Sequence, residues 1–368
     1  MRKIRLAIIG VGSISGIYLK NLTETFHGIE IAGICDLVRE KAEAASEKYG
    51  LHIYNDMHEA FADPDVELVL NITRPHEHYE VTRAALLAGK NVYSEKPLAA
   101  SLSEGLELVR LAKEKGLLLG GAPDTFMGAG IQTCRRLIDG GMIGTPIGFT
   151  ANMICHGHET WHPDPAFYYQ YGGGPMMDMG PYYLTALVNL LGRAKSVVGK
   201  TRANFPTRLI TSRPKMGEVV KVEVPTDVMG ILEFDSGAVG TVYTTFDVYY
   251  KESCRFEIYG TEGTLYVPDP NCFGGPVMLL RPEDGTPREI PLLTDYKENS
   301  RALGLADMAQ AMVSGRPFRA DFTQTLHVLE IMTAFAESSK TGTPYILETP
   351  YERKMPMKNN PMHGVLDE

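Results

Sequence analysis

A short apolar run, Leu6-Ala7-Ile8-Ile9, breaks directly into Gly10-Val11-Gly12-Ser13-Ile14-Ser15-Gly16. The run reads as a buried strand, and the apolar residues Ile17, Tyr18 and Leu19 that follow read as a helix to about residue 25. Strand, glycine turn and helix in that order announce a parallel sheet built from βαβ units. The spacing G-x-G-x-x-x-G is one residue longer than the commonest dinucleotide fingerprint, with the same physics. Gly10 permits the tight turn, Gly12 lets the backbone approach a pyrophosphate, and Gly16 lets helix and strand pack closely. Ser13 and Ile14 complete the loop that brings phosphates to the helix N-terminus.

A second strand pattern, Glu30 to Cys35, ends in Asp36, about twenty residues after the last glycine, where a ribose-binding acid is expected. Asp36 is expected to accept both adenosine ribose hydroxyls and to repel a 2′-phosphate, which favours NAD, while nearby Arg39 keeps NADP open. The same aspartate also fits the N-cap of a helix over 39–49. The alternation continues with a strand over 66–72, a helix over 78–88, a strand over 90–93, a helix over 103–114 and a strand over 117–121. Thr73, Arg74, Pro75 and His78 stand between a strand end and a helix start, placed to line the cofactor. On spacing alone, His76 and His78 equally fit solvent-facing helix-start positions. No third ligand stands near them, so no metal is predicted.

The stretch Ser94-Glu95-Lys96-Pro97 ends the next strand. Ligands of an open parallel sheet bind outside the carboxyl ends of its strands. A lysine there can hold and polarise a substrate oxygen. A surface ion pair beside a turn proline fits the same four residues.

With 368 residues the chain has room for two domains, divided here into a dinucleotide-binding part over 1–122 and a substrate-binding and oligomerisation part over 123–368. The net charge of −9 argues against nucleic-acid binding and against an anionic membrane surface. Cys35, Cys134, Cys155, Cys254 and Cys272 are scattered and odd in number, which fits reduced thiols in a cytoplasm. The N-terminal apolar run is too short for a secretion signal, and no stretch is long and apolar enough to span a membrane.

In the second part a helix over 128–139 and a strand over 146–155 lead to His156-Gly157-His158-Glu159-Thr160-Trp161-His162-Pro163. His156, His158 and Trp161 are read as substrate contacts, the indole offering a face to the C–H side of a sugar. A loop packed under Tyr168 and Tyr169 with exposed histidines is the competing reading. Next, Gly172-Gly173-Gly174-Pro175 precedes Asp178 and Tyr182, which share a face if the segment is one helix, although Pro181 leaves its start ambiguous. Hairpins over 228–246 and 254–267 suggest an antiparallel meander, and helices are expected over 302–313 and over 321–338, capped by Asp321. The polar tail from Tyr351, with Pro356, Asn359, Asn360 and Pro361, is expected to wrap or fray.

Together, Gly10 to Gly16, Asp36, the Asn71 to Pro75 stretch and Glu95-Lys96-Pro97 resemble the glucose–fructose oxidoreductase / inositol dehydrogenase (Gfo/Idh/MocA) family over most of the chain. The resemblance implies an α/β protein: an N-terminal Rossmann doubly wound parallel sheet, then an α+β domain with a large, mostly antiparallel sheet. It implies Lys96 against nicotinamide and the reacting hydroxyl, Glu95 near the nicotinamide ribose, and a homo-oligomer, dimer or tetramer, through the second sheet. The family's second motif reads roughly G-G-G-x-x-x-D-x-G-x-H. This chain has the glycines, Asp178 and Gly180, but Tyr182 where many members have histidine. Glucose–fructose oxidoreductase and dihydrodiol dehydrogenase types are similar in using tyrosine there.

The expected chemistry is hydride transfer between nicotinamide and a hydroxyl carbon of a sugar or polyol. Lys96 stabilises the alkoxide, Tyr182 moves the proton, and Asp178 orients Tyr182 or binds a substrate hydroxyl. Lys96 beside Tyr182 is expected to lower both pKa values. An NAD-dependent glycosidase on the same fold, or a non-catalytic dinucleotide-binding sensor, are the alternatives.

Overall fold

The computed structural model describes residues 2–249, 255–359 and 362–367. Cys254, where one hairpin was expected to begin, and Asn360 and Pro361 of the tail lie outside the described residues.

The first part alternates as its sequence dictates. It runs β1 (Ile4–Ile9), α1 (Ser15–Glu24), β2 (Ile29–Cys35), α2 (Arg39–Tyr49), α3 (Met57–Ala62), β3 (Leu68–Asn71), α4 (His78–Leu87), β4 (Asn91–Ser94), α5 (Leu102–Lys115) and β5 (Leu119–Gly121). The strands form a parallel sheet in the order β2-β1-β3-β4-β5, with Ile8 between Ile34 and Leu70. Leu6, Ala7, Ile8, Leu68, Val69 and Leu70 are fully buried, as helices on both faces of a parallel sheet require. A single parallel bridge from Ile34 to Ile53 adds a rudimentary strand outside β2. Counting it gives the doubly wound Rossmann order, whose ligand crevice opens at the switch point between β1 and β3. Local signals hold the helices. Ser101 and Glu104 form a reciprocal capping box at the start of α5, and Gly116 ends it with φ 65°.

The second part adds α6 (Ala129–Asp139), β6 (Pro146–Ile154), α7 (Pro175–Asp178), α8 (Gly180–Leu191), β7 (Ala194–Arg202), β8 (Thr207–Leu209), β9 (Val219–Lys221), β10 (Asp227–Phe234) and β11 (Val239–Thr245). It continues with β12 (Arg255–Gly260), β13 (Gly263–Tyr266), β14 (Val277–Leu280), β15 (Arg288–Ile290), α9 (Leu303–Ser314), α10 (Phe322–Thr341) and β16 (Tyr345–Ile346). Its large sheet is not a simple meander. The order is β15-β14-β13-β12-β6-β11-β10-β7-β16, with β6 inserted between β11 and β12. Strand β6 runs parallel to β11, with Thr150 opposite Thr241, and antiparallel to β12, with Phe149 opposite Ile258. Residues 246–254 separate β11 from β12, too many for a tight turn, so the two need not be neighbours.

Helix α10 is capped by the Asp321 side chain, which accepts from Thr323 N and Gln324 N, and it lies on the large sheet. Phe335 of that helix sits where a side chain at Gly199 of β7 would be, 2.5 Å from such a Cβ to its carbonyl oxygen. The same helix packs on α5, and Gly121 N donates to Ala320 O at 3.0 Å. The chain thus returns to the free edge of β5 and binds both sheets together. The tail wraps: Met357 N donates to Gln132 Oε1 at 2.7 Å, Tyr351 stacks on His327 with centroids 5.5 Å apart, and Leu366 is buried. Among the described residues, no helix is long and apolar enough to cross a membrane, and Cys35, Cys134, Cys155 and Cys272 are free.

Candidate active site

The carboxyl ends of β1 to β4 carry the polar residues that the sequence singles out. Gly10 turns the chain with φ 98°, and its N–H donates to Cys35 O at 2.8 Å. A Cβ there would stand 2.7 Å from Ile72 O, so only glycine lets the β1 and β3 loops close on each other. Gly10→Ala is expected to cost about 2 kcal/mol of stability and to abolish stabilisation by dinucleotide. Thermal unfolding with and without NAD checks this, and an unchanged response to NAD contradicts it. At Gly12 a Cβ would meet nothing within 4 Å, as a loop approached from outside requires. Gly16 departs from its expected reason: a Cβ there also meets nothing within 4 Å, so its smallness is not needed for packing helix on strand.

Asp36 holds the turn. Its carboxylate accepts from Val11 N at 2.6 Å and Val38 N at 2.8 Å. It is not the cap of α2, whose N-cap is Val38 without a side-chain bond. Arg39 is engaged with Glu43, Nε to Oε1 3.2 Å. Helix α1 has no side-chain cap and no acidic residue in its first turn, so its leading N–H groups and positive dipole end fit an anion. The glycine turn, this bare helix start and the fixed Asp36 carboxylate fit a dinucleotide.

Thr73 donates to Asn71 Oδ1 at 2.7 Å, and exposed Arg74 reaches Asp164 at 3.7 Å. Pro75 lies beside them, half-buried, and His76 is exposed. His78 is not the solvent-facing residue that its spacing also allowed. It is buried, with Nδ1 2.7 Å from Pro97 O and Nε2 3.2 Å from Thr73 O. Burial holds its pKa below the usual histidine value. It staples the β3 loop to the Lys96-Pro97 stretch from behind. Glu95 is also nearly buried; it accepts from Tyr18 O–H at 2.7 Å and from Lys96 N at 2.9 Å.

Lys96 Nζ donates to two oxygens of Asp178: the carbonyl at 2.7 Å and Oδ1 at 2.8 Å. The local sequence explains why the carbonyl is free. Helix α7 ends at Asp178, Met179 breaks the run, and α8 starts at Gly180 with Pro181 in its first turn. Tyr182 N donates to Met179 O, not back to Asp178 O as one continuous helix would require. Asp178 and Tyr182 therefore stand on successive helices, not on one face. Asp178 engages Lys96 and His158, whose Nε2 lies 3.4 Å from Oδ2, and does not orient Tyr182.

The electrostatics also depart from expectation. Burial works against the Lys96 ammonium, but Asp178, Tyr182 and Glu95 outweigh it and raise its pKa. Burial likewise works against the Asp178 carboxylate, but Lys96 and His158 pull its pKa well below the usual range. For Tyr182 burial wins: it pushes the phenol up, and the Lys96 and Arg301 cations only partly offset it. Lys96 and Tyr182 are thus both raised, because carboxylates hold the ammonium and an apolar pocket holds the phenol. Lys96 Nζ is 5.2 Å from the centre of the Tyr182 ring, and the Arg301 guanidinium, held by Asn299 Oδ1 at 2.9 Å and Asn271 Oδ1 at 2.8 Å, is the second cation that lowers the phenol's pKa. No motif signals Arg301, a single arginine in a polar stretch, and sequence reasoning missed it.

An aromatic wall stands over this cluster. The His158 ring lies 4.2 Å from Tyr168, 4.6 Å from Phe246 and 5.3 Å from Trp161, centre to centre. Trp161 is 61% exposed and forms the rim. Glu159 anchors the loop: its carboxylate accepts from Arg208 at 3.1 Å and from the Tyr169 hydroxyl, and Arg208 also pairs with Asp247. Tyr168 and Tyr169 thus pack the loop, while His158 faces Asp178. His156 is not brought to the cluster; it stacks on Tyr249 at 3.6 Å, with Phe205 on its edge. Among the described residues no group of side chains could hold a metal ion.

What the two parts bring together is the layout of a dinucleotide-dependent oxidoreductase. The chain belongs to the Gfo/Idh/MocA family. Residues 4–121 match its model described as an oxidoreductase family with an NAD-binding Rossmann fold, and residues 131–266 match the GFO/IDH/MocA C-terminal domain. A scyllo-inositol 2-dehydrogenase (NAD(+)) of Bacillus subtilis (strain 168) is 26% identical over 352 residues, covering 94% of this chain and 97% of that protein. A D-xylose dehydrogenase of Paenarthrobacter nicotinovorans is 27% identical over 220 residues, covering 57% of this chain and 56% of that one. A levoglucosan dehydrogenase solved with NADH and L-sorbose superposes with a TM-score of 0.82 at 21% identity, over 95% of this chain and 100% of that one, and shares the fold.

Proposed function

We propose that the protein is an NAD-dependent dehydrogenase that moves a hydride between nicotinamide and a hydroxyl-bearing carbon of a sugar, polyol or related compound. The observation that carries this reading is the holding of Lys96. An ammonium has three N–H bonds. Asp178 takes two of them, which leaves one for the reacting oxygen. A fixed cation in a half-dry site stabilises an alkoxide far more than water would. Tyr182, kept as a phenol by burial, gives its proton in the reducing direction and, once ionised, takes one in the oxidising direction. The nicotinamide cofactor supplies the hydride acceptor or donor. In this reading the loop from Gly10 to Gly16 holds its phosphates and Asp36 its adenosine ribose. Thr73, Arg74, Pro75 and Glu95 flank its nicotinamide half. The Asp36 carboxylate favours NAD over NADP, and Arg39, already paired with Glu43, offers a 2′-phosphate little.

Residues 1–122 bind the cofactor in this reading, and residues 123–368 bind the substrate and assemble the oligomer. Val198, Met229, Ile231 and Val239 lie exposed on the face of the large sheet opposite α10, with Ile231 directly across from Val198. Such an open apolar face suits a second copy. Light scattering at micromolar concentration is expected to give a dimer or tetramer, and a monomer sinks the assembly proposal. The free cysteines fit a reducing cytoplasm, which cell fractionation checks.

The named relatives set the first assay. The protein is mixed with NAD and scyllo-inositol, myo-inositol, D-xylose or levoglucosan, and reduced cofactor is followed by absorbance. Net reduction with one of these classes is expected. NAD binding with no reduction across the panel contradicts the dehydrogenase, and aglycone release from aryl glycosides without net reduction replaces it with the glycosidase.

A further inference from the structure

Between β7 and β10 the chain leaves the large sheet for residues 203–226, where strands β8 and β9 pair with each other. The hydride chemistry uses none of this arm. Leu209 and Val219, paired across it, are 56% and 63% exposed. A two-stranded ribbon with so little covered surface is marginal by itself. What holds it is Arg208, in the middle of β8, which is 4% exposed.

The Arg208 guanidinium donates to Glu159 Oε1 at 3.1 Å and to Phe246 O at 2.9 Å, and it pairs with Asp247. It lies 4.7 Å from the centre of the Phe205 ring and 5.4 Å from that of Tyr169. Asp247 Oδ2 accepts from Asn204 Nδ2 at 2.7 Å and from Thr226 Oγ1 at 2.8 Å, so the buried charges have the further hydrogen bonds they require. Two of the Arg208 contacts reach the aromatic wall. Glu159 follows His158 directly and stands two residues before Trp161. Phe246, whose carbonyl Arg208 holds, presents its ring to His158 at 4.6 Å. The arm grips the same loop through its main chain: Thr211 N and Ser212 N donate to Glu159 O at 2.9 Å and 3.0 Å, and Ser212 Oγ donates to His162 O. One guanidinium therefore fixes both sides of the slot around His158, the loop on one side and the end of β11 on the other. These bonds end on the wall and not on Lys96, Asp178 or Tyr182.

We propose that Arg208 is a positioning residue for substrate binding and selection, acting through Glu159 and Phe246 to fix the aromatic wall against which the sugar is held. This rests on the dehydrogenase reading. The wall stands beside the reacting groups and takes no part in moving hydride or proton. It holds the substrate alike in the ground state and in the transition state, and such binding sets KM while leaving kcat unchanged. A wall of fixed shape also favours one sugar over another, because a pocket discriminates by which contacts each substrate completes. A slot whose two sides move apart loses both effects together.

The test is the kinetics of Arg208→Gln with NAD and scyllo-inositol, myo-inositol, D-xylose or levoglucosan. KM for the sugar that the wild type oxidises best is expected to rise about tenfold or more, the scale of losing charged hydrogen bonds. The kcat should stay within about threefold of the wild type, and KM for NAD should not move. The ratio of kcat/KM between the best sugar and the next should fall. Arg208→Lys keeps the charge without the planar fork that reaches Glu159 and Phe246 O together, so it should recover only part of the loss. Ser212→Ala removes one grip on the loop and no charge; it should raise KM by a smaller step, and it serves if Arg208→Gln does not fold. Thermal shift with NAD confirms in each variant that the cofactor site is intact. Trp161 is the only tryptophan, so its emission and its quenching by iodide report the wall without any substrate, and both should change in Arg208→Gln. A lowered kcat with KM, the sugar ratio and the Trp161 emission unmoved overturns the proposal and leaves the dehydrogenase standing. A wild type that binds NAD but oxidises none of these sugars overturns both.

Discussion

Lys96→Met is expected to lower kcat by on the order of 10³-fold or more while the protein still binds NAD. The size follows from what methionine takes away. The side chain keeps most of the lysine's bulk and all of its apolar stem, but it has no N–H to offer. The reacting oxygen loses the cation that stabilises its negative charge, and the nearby Arg301 guanidinium is held by Asn299 and Asn271. The glycine turn, Asp36 and the α1 N-terminus are untouched, so thermal stabilisation by NAD should persist. Asp178, deprived of its strongest partner, should then move back up toward and beyond the ordinary carboxylate value, since burial is the largest influence on it and Lys96 is what opposes it. Turnover within tenfold of the wild type means that another group holds the reacting oxygen.

Asp178→Ala is the second large effect, and it reaches stability as well as rate. Removing one member of a mostly buried ion pair strands the other. Side-chain exposures of 15% for Lys96 and 18% for Asp178 leave little water to compensate. A loss of about 3 kcal/mol is expected, read as a lowered unfolding midpoint at neutral pH. The pH dependence gives the sign. In the intact pair the lysine value is raised and the aspartate value is depressed. The pair's stabilisation is therefore fully present between the ordinary values of 3.8 and 10.5. It is lost only as pH falls through the lowered Asp178 value or rises through the raised Lys96 value. In Asp178→Ala, burial acts on Lys96 with its main partner gone and drives its pKa down. Residual activity should then decline as pH rises through the alkaline range where the wild type is still active. An unfolding midpoint and a pH profile both equal to the wild type's contradict the account of the pair.

These effects depend on features that differ in how openly the sequence displays them. The parallel sheet was legible because its evidence is local: apolar runs of strand length, glycine turns and helical spacing, repeated along the first part of the chain. Gly10, Asp36 and Lys96 were legible for a related reason, since each stands at a strand end and the sheet itself puts strand ends together. The place of β6 between β11 and β12 was not legible, because alternation within a strand says which side faces the core and nothing about which strand lies beside it. Among the site residues, His156 and His158 have the same polarity and the same spacing. Only the packing of Tyr168 and Phe246 around one ring and Tyr249 against the other separates them. His78 reads from sequence as a helix-start residue, yet its neighbours in space are the carbonyls of Thr73 and Pro97. Arg301 has no sequence signature, because its holding partners Asn21 and Asn271 come from distant parts of the chain.

The most direct test of the central claim follows a hydrogen atom. A sugar or polyol carrying deuterium on its hydroxyl-bearing carbons is incubated with the protein and NAD, and the reduced nicotinamide is recovered and weighed by mass spectrometry. The account predicts that the recovered nicotinamide carries deuterium, and that none is recovered with Lys96→Met. Reduced nicotinamide without the label, or a changed sugar with no net reduction of NAD, contradicts direct hydride transfer at this site.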